Sequence, residues 1–204
     1  MSGVQIAIHL EWDDRTKSIP GDDKARSIAD AELTEDAIAV QFPMTIPLGM
    51  EKPYFLMGDA AKPVNLWRWS SGTTETPEHI ALLNATGIEA QETRDATAAA
   101  LAAKGSYKAG TWQVVMTRPL RTQIVDKDLQ FEEGRFIPIA FFAWDGSNSE
   151  AGTSHAMTTW YWLLLKPATS AKPIIGAVIA MFLIGGLLLW WGHGAAARSA
   201  RRTT

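Results

Sequence analysis

Cysteine is absent from the 204 residues of this chain, and its absence excludes several kinds of chemistry. Without thiols the chain can form no disulfide, no cysteine-ligated zinc site, no iron–sulfur cluster of its own and no thioether bond to a haem. The motifs of nucleotide-binding proteins, serine hydrolases and zinc proteases are also missing. The four histidines have no metal-site spacing, and the many carboxylates are scattered along the sequence. We therefore do not expect an autonomous enzyme.

Acidic residues are missing from the C-terminal quarter of the chain. Residues 1–150 contain 14 basic and 22 acidic side chains, whereas residues 151–204 contain five basic side chains and no acidic one. An acidic body disfavours nucleic acid as a partner, because binding to phosphates needs a basic surface. With 47% hydrophobic and 20% charged residues, the chain can bury the core of one ordinary domain.

A long hydrophobic run without any charge occupies residues 174–191, with the sequence IIGAVIAMFLIGGLLLWW. As a helix, these 18 residues would extend roughly 27 Å, which is close to the ~30 Å hydrocarbon core of a bilayer. The two tryptophans at its end are typical of a membrane–water interface. We therefore predict a transmembrane helix at 174–192, preceded by a linker at 167–173 and followed by a basic tail at 193–204, so the lipid bilayer is an expected partner.

The flanking charges indicate an orientation for this helix. Two lysines precede it and three arginines follow it, so the positive-inside rule favours a cytoplasmic C-terminus and an extracytoplasmic, periplasmic-type body. The first residues have no basic start and no long apolar run, and they do not resemble a signal peptide. Export of the body would therefore depend on a partner subunit or on a different start of the chain.

The body, residues 1–166, has the pattern of a β-sandwich. Apolar residues alternate with polar ones from Val4 to Trp12 and again from Ile38 to Phe42, as in strands with one buried face. Turn-forming clusters separate these strands from four further candidates. We predict an antiparallel β-sandwich in which residues 77–104, rich in Ala, Glu and Gln, form a short helical insertion outside the sheets. The further strand candidates are 63–69, 111–118, 135–144 and 158–165.

An ordered series of local patterns runs through the body. Its segments are Phe42-Pro43, Pro53–Asp59, Pro63–Trp69, Gly110–Met116, Arg118-Pro119-Leu120, Ala143–Asn148 and Thr158–Tyr161. This series resembles the ethylbenzene dehydrogenase-type haem-binding domain, which forms the gamma subunit of molybdenum enzymes of the dimethylsulfoxide reductase family. The resemblance covers about residues 4–166.

The resemblance implies a β-sandwich with one non-covalent haem b and an electron-transfer role beside an iron–sulfur subunit. It also implies that the iron is held by one methionine and usually by one lysine. The methionine falls at Met57, within the step Met57-Gly58. The segment aligned to the lysine, residues 150–158, contains no lysine, and His155 takes its place. A methionine–imidazole pair is a common ligand set of electron-transfer haems.

Other residues remain candidates for the haem site. Met157 would point to the same side of a strand as His155 and could compete with it, whereas Met44 and Met50 are weaker alternatives to Met57. Arg68 or Arg118 could pair with haem propionates, because a guanidinium matches the geometry of a carboxylate. The tryptophans that could flank the macrocycle are Trp67, Trp69, Trp144 and Trp160.

These features favour a membrane-anchored b-type cytochrome subunit that relays electrons between a molybdenum and iron–sulfur partner, or another redox complex, and a carrier in or near the membrane. Two alternatives remain. Tryptophan-rich sandwiches also occur as carbohydrate-binding modules, which need two or three exposed tryptophans on one face. The chain could also be a membrane anchor or assembly subunit without haem, and the missing lysine is the only support for that interpretation.

Overall fold

The computed structural model describes residues 4–28, 31–166 and 175–186. The chain divides into two units, Met1–Lys166 and Pro167–Thr204. The first unit is built from ten strands and a 3-10 turn at Gly146–Asn148. The strands are β1 Gln5–Asp13, β2 Ala37–Pro43, β3 Val64–Ser70, β4 His79–Ala85, β5 Gln91–Arg94, β6 Ala102–Lys108, β7 Thr111–Pro119, β8 Phe136–Trp144, β9 Ala156–Met157 and β10 Tyr161–Leu164.

The strands form two antiparallel sheets. The smaller sheet has three strands in the order β1-β7-β6. The larger has seven strands: six follow the order β10-β8-β2-β3-β4-β5, and β9 pairs with the end of β8. The prediction of a mainly β, antiparallel architecture is confirmed, and each of the six predicted strands overlaps a strand of the structure.

The two sheets pack face to face around an apolar inner core. Strand β2 shows why the faces differ: Ile38, Val40 and Phe42 point into the inner core, because successive side chains of a strand point to opposite sides. The same alternation sends every second residue of β3 and β8 inward. The inner core contains, among others, Ile6, Trp67, Trp69, Leu82, Trp112, Val114, Met116, Phe131 and Ile137.

A second apolar cluster covers the opposite face of the large sheet. It receives the residues of β2, β3 and β8 that alternate with the inner-core residues, and it also contains one residue of the β2–β3 loop, Met57. We call it the outer cluster. Its buried members are Ala37, Ala39, Met57, Val64, Leu66, Ala85, Ala140, Phe142, Trp144 and Trp160.

The prediction of a helical insertion at 77–104 is wrong. Strand β4 pairs along its whole length with β3, β5 pairs with β4, and β6 pairs with β7. The Ala- and Glu-rich composition favours a helix only weakly, and pairing with neighbouring strands overrides that preference. Ala99 and Leu101, within the same segment, contribute to the inner core.

The second unit is described only over a helix at residues 175–186. Among the described residues, no helix is both long enough and apolar enough to cross a membrane. The remainder of the predicted span, residues 174 and 187–192, lies outside the described part of the chain. The same holds for the linker at 167–173 and the basic tail at 193–204.

Candidate functional site

The loop between β2 and β3 presents Met57 in an unusual backbone conformation. The φ angle of Met57 is 61° and that of Gly58 is 73°, so two successive residues are left-handed. Hydrogen bonds from Gly58 N to Tyr54 O (2.9 Å) and from Gly87 N to Met57 O (2.9 Å) hold this turn. A non-glycine residue at positive φ is uncommon, and such strain concentrates at functional sites. The hydrogen-bonded turn thus sets the direction in which the Met57 side chain leaves the backbone.

That direction is into the outer cluster, where only 3% of the Met57 surface remains exposed. The loop is held against the sheet by the buried indole of Trp160, whose Nε1 donates a hydrogen bond to Pro53 O at 2.9 Å. The thioether therefore lies on an apolar face. A sulfur ligand suits such a place, because it carries no charge that burial would penalise.

His155 lies beside the same cluster, just before β9. Its ring centroid is 5.1 Å from that of Phe142 and 5.2 Å from that of Trp144. Its Nδ1 is 3.3 Å from Gly152 O, a carbonyl that also accepts a hydrogen bond from Trp144 Nε1 at 3.1 Å. Since a carbonyl can only accept, this contact is a hydrogen bond in the tautomer that carries its proton on Nδ1, and that tautomer leaves the Nε2 lone pair available to a ligand or a metal.

Arg68 adds a positive charge to this face. Its guanidinium lies 5.1 Å from the ring centroid of Trp144. Burial lowers the pKa of Arg68, and the opposite charge of Glu35 counteracts this shift. Within the described part of the chain, Arg68 forms no salt bridge. A half-buried cation without an ion pair is suited to bind an anionic group.

Small side chains form the floor between these groups. Ala39 of β2 pairs with Phe142 on one side and with Arg68 on the other, and Ala37 pairs with Trp144. Ala37, Ala39 and Ala140 are completely buried. Small, buried side chains therefore lie next to Phe142, Trp144 and Arg68 on this face.

The structure separates Trp67 and Arg118 from this face, although sequence reasoning grouped them with it. Trp67 alternates with Arg68 along β3 and is buried in the inner core. The Arg118 guanidinium lies 5.0 Å from the Trp67 ring centroid, and its Nη2 donates to Leu129 O. Burial lowers the pKa of Arg118 to about 10. Both residues are completely buried on the opposite side of the sheet from Met57.

The remaining candidates are divided in the same way. Trp144 and Trp160 belong to the outer cluster, whereas Trp69 belongs to the inner core. Met157 is half-buried against the outer cluster and stays an alternative donor. Met50 is largely exposed at the tip of the loop.

A group of three carboxylates was missed by sequence reasoning. Oxygens of Asp14, Asp36 and Asp145 lie within 4.8 Å of one another. Asp36 accepts hydrogen bonds from Ser18 N, Trp112 Nε1 and Gly146 N, and so joins both sheets to the turn after β8. Burial raises the pKa of Asp36 to about 6, although these hydrogen bonds oppose the shift. No spacing in the sequence indicates this group, because the three residues come from distant segments.

Comparison with known proteins gives relatives of one kind. Residues 1–97 match the family model described as ethylbenzene dehydrogenase. The chain is 29% identical over 162 residues to the chlorate reductase subunit gamma of Ideonella dechloratans, covering 78% of this chain and 59% of that protein. It is 25% identical over 174 residues to the dimethylsulfide dehydrogenase subunit gamma of Rhodovulum sulfidophilum, covering 81% and 58%.

A third relative comes from Haloferax mediterranei, where it is named as a respiratory nitrate reductase heme subunit. It is 26% identical over 188 residues, which cover 91% of this chain and 62% of that protein. The chain thus spans about three fifths of the length of these relatives. Together the matches confirm the family resemblance of the sequence.

Proposed function

Because this chain is a relative of the ethylbenzene dehydrogenase-type gamma subunits, we propose that it is a membrane-anchored b-type cytochrome subunit. It relays electrons between a molybdenum and iron–sulfur partner, or another redox complex, and a carrier in or near the membrane. One non-covalent haem b supplies the redox chemistry when bound, and the chain supplies ligands, apolar surroundings and position.

The observation that carries this proposal is that Met57 is buried in the outer cluster and that His155 packs beside Phe142 of the same cluster. A thioether and an imidazole fit the donor set of an electron-transfer haem. If both bound the iron, they would leave no position for a substrate, which agrees with a role in electron transfer.

The same geometry favours Arg68 over Arg118 as the partner of a haem propionate. Arg68 lies on the face of Met57, and Arg118 is enclosed between the sheets. We also propose that residues 174–192 anchor the chain in the bilayer, because the run carries no charge and has the length of a hydrocarbon core. The body then lies on the extracytoplasmic side, as the flanking basic residues favour.

The carbohydrate-binding alternative receives no support from the placement of the tryptophans. Within the described body, Trp12 and Trp162 are half-buried. The other five, Trp67, Trp69, Trp112, Trp144 and Trp160, are buried. A platform for sugar rings needs exposed indole faces, and all seven of these side chains are buried or half-buried.

An absorption spectrum tests the function directly. The full chain is purified from its native membrane with its partners and measured oxidised and dithionite-reduced, and a pyridine haemochrome assay identifies the haem. We expect a sharp reduced α-band and a b-type haemochrome. A preparation without a Soret band would contradict the cytochrome proposal and favour the anchor or assembly subunit.

Ligand variants test the site. Met57→Leu keeps the apolar volume but removes the sulfur, and Met57→Ala and His155→Ala remove each side chain. Each is expected to lose haem or the low-spin α-band, while thermal melts show that the fold remains. Met50→Ala and His9→Ala are matched controls, because both residues are exposed, and they should keep the wild-type spectrum. Unchanged haem content and spectrum in all three ligand variants would show that the ligands lie elsewhere.

A further inference from the structure

Four exposed apolar side chains lie together at one end of the body. Leu48 is 98% exposed and Met50 79% exposed in the β2–β3 loop, and Phe136 is 59% exposed at the start of β8. Leu164, also exposed, is the cross-strand partner of Phe136. We call these four residues the apical patch. Leu48, Met50 and Phe136 also line one groove, so the four side chains form a connected surface.

Single exposed hydrophobic residues are common, but a cluster of this kind marks an interaction surface. Leu48 is the clearest case, because it is almost completely exposed to water. It lies between a proline and a glycine in the loop. Burying a leucine side chain is favourable. Its exposure therefore indicates an apolar environment outside this chain.

Amphipathic and basic residues surround the patch. Lys52 Nζ lies 5.1 Å from the ring centroid of Trp162, and Arg135 Nη2 donates to Pro47 O at 3.2 Å. Two of the carboxylates nearby are engaged, with Glu51 bound to Lys62 at 2.6 Å and Glu132 bound to Arg135 at 3.2 Å, whereas Glu133 forms no ion pair within the described residues. A half-buried tryptophan beside lysine and arginine is typical of the boundary between an apolar phase and water.

The course of the chain connects this end of the body to the hydrophobic run. Strand β10 ends at Leu164, a member of the patch, and the uncharged run begins at residue 174. Nine residues, 165–173, lie between these positions, and a fully extended backbone of that length can reach ~36 Å. The connection is therefore long enough for the patch to contact a bilayer that holds the proposed anchor.

We propose that the apical patch inserts into the interface of the lipid bilayer and orients the body on it. Leu48 and Met50 enter the boundary between headgroups and acyl chains, and Phe136 and Leu164 follow at its edge. This inference rests on the anchoring at 174–192 proposed above. Because the β2–β3 loop also carries Met57, the same loop would contact lipid at its tip and iron at its base.

Spin labelling tests the insertion. The absence of native cysteine makes Leu48→Cys and Ile28→Cys uniquely labelled positions in the full chain. Ile28 is a matched control, because it is 56% exposed and its N–H binds Ser147 O, in the turn at the far end of β8 from Phe136. Each labelled chain is reconstituted into liposomes of neutral and anionic phospholipids, and collisions with oxygen and with a water-soluble nickel chelate are measured.

We expect the ratio of oxygen to nickel collisions to be several-fold higher at position 48 than at position 28, and to equalise when the chain is in detergent-free amphipol. Equal ratios in liposomes that float together with the chain would overturn the insertion and leave the anchor intact. A chain that does not float with the liposomes would overturn both. Protection of position 48 from both reagents without lipid would show that a second chain covers the patch, which also contradicts the proposal.

Discussion

The two faces of the seven-stranded sheet are formed by the same strands but carry different kinds of side chain. The inner face is filled by large rings from both sheets, with Trp69 and Trp112 centroids 5.0 Å apart. The outer face carries completely buried alanines, a thioether, an imidazole and a guanidinium. A face that is filled by its own side chains supplies stability. The outer face carries the groups that we propose to hold a haem.

Glycine positions show how closely the inner face is packed. An added Cβ at Gly105 of β6 would overlap the Trp69 ring. The backbone N–H of Gly105 and the indole N–H of Trp69 both donate to Glu78 Oε2, at 2.8 and 2.9 Å. Substitutions on the inner face should therefore change the free energy of unfolding, and those on the outer face should change haem binding.

The largest effect on stability is expected from Trp69→Ala. It removes a fully buried ring and leaves Glu78 without an indole donor, so the free energy of unfolding should fall by ~3–5 kcal/mol. Denaturant titration measures the loss. The fraction that stays folded should keep the wild-type haem spectrum. Trp69→Phe, a milder variant, should lose less stability, and a selective loss of haem in either variant would break the distinction between the faces.

A somewhat smaller effect on stability is expected from a change of pH, through the buried carboxyl group of Asp36, which accepts a hydrogen bond from Trp112 of the inner core. Burial raises its folded pKa to about 6, against 3.8 without burial, so the folded state holds the proton more tightly. Protonated Asp36 therefore adds to the free energy of unfolding below about pH 4. This contribution, on the order of 2–3 kcal/mol, is lost as the pH rises through about 6.

Asp36→Asn checks this prediction. The variant is less stable overall, because its amide cannot accept all three N–H donors, but its stability should depend less on pH between 4 and 6 than that of the wild-type protein. Denaturant titrations across this range measure both slopes. Equal slopes would show that Asp36 keeps an ordinary pKa.

The smallest effect on stability is expected from Ala39→Leu on the outer face. The added atoms crowd Phe142 and Arg68, which flank Ala39 in the sheet, at a cost of ~1–3 kcal/mol. Haem content should fall much more than this destabilisation explains. Ala7→Leu, at an exposed position of β1, is the matched control and should change neither property. Full haem content in Ala39→Leu would show that the floor of alanines is not the haem surface.

The strands that sequence reasoning found are those with a regular alternation, such as β1 and β2, or with dense apolar residues, such as β8. It missed β4, β5 and β6. Their residues are common in helices, and β5 and β6 contribute mostly exposed or half-exposed side chains. The hydrogen bonds that make these segments strands come from distant parts of the chain, which no local window contains.

The candidate site was also predictable only in part. The family resemblance indicated Met57 and His155, and in the structure Met57 is buried in the outer cluster and His155 packs beside Phe142 of that cluster. Sequence reasoning could not separate Arg68 from Arg118, or Trp144 from Trp67, because composition does not say which face of a sheet a residue occupies. A shift of one residue along a strand reverses that face. The contact of Asp14, Asp36 and Asp145 was likewise invisible in the sequence.

The sequence by itself determined the mainly β class, the position of six strands, the absence of thiol chemistry and the family resemblance, because these depend on local alternation, composition and ordered motifs. The tertiary structure alone decided which side chains share a face and which are sealed between the sheets. It also decided that Met57 adopts a left-handed backbone with its side chain in the outer cluster. These features depend on strand register and on contacts between distant segments, which form only when the sheets pack.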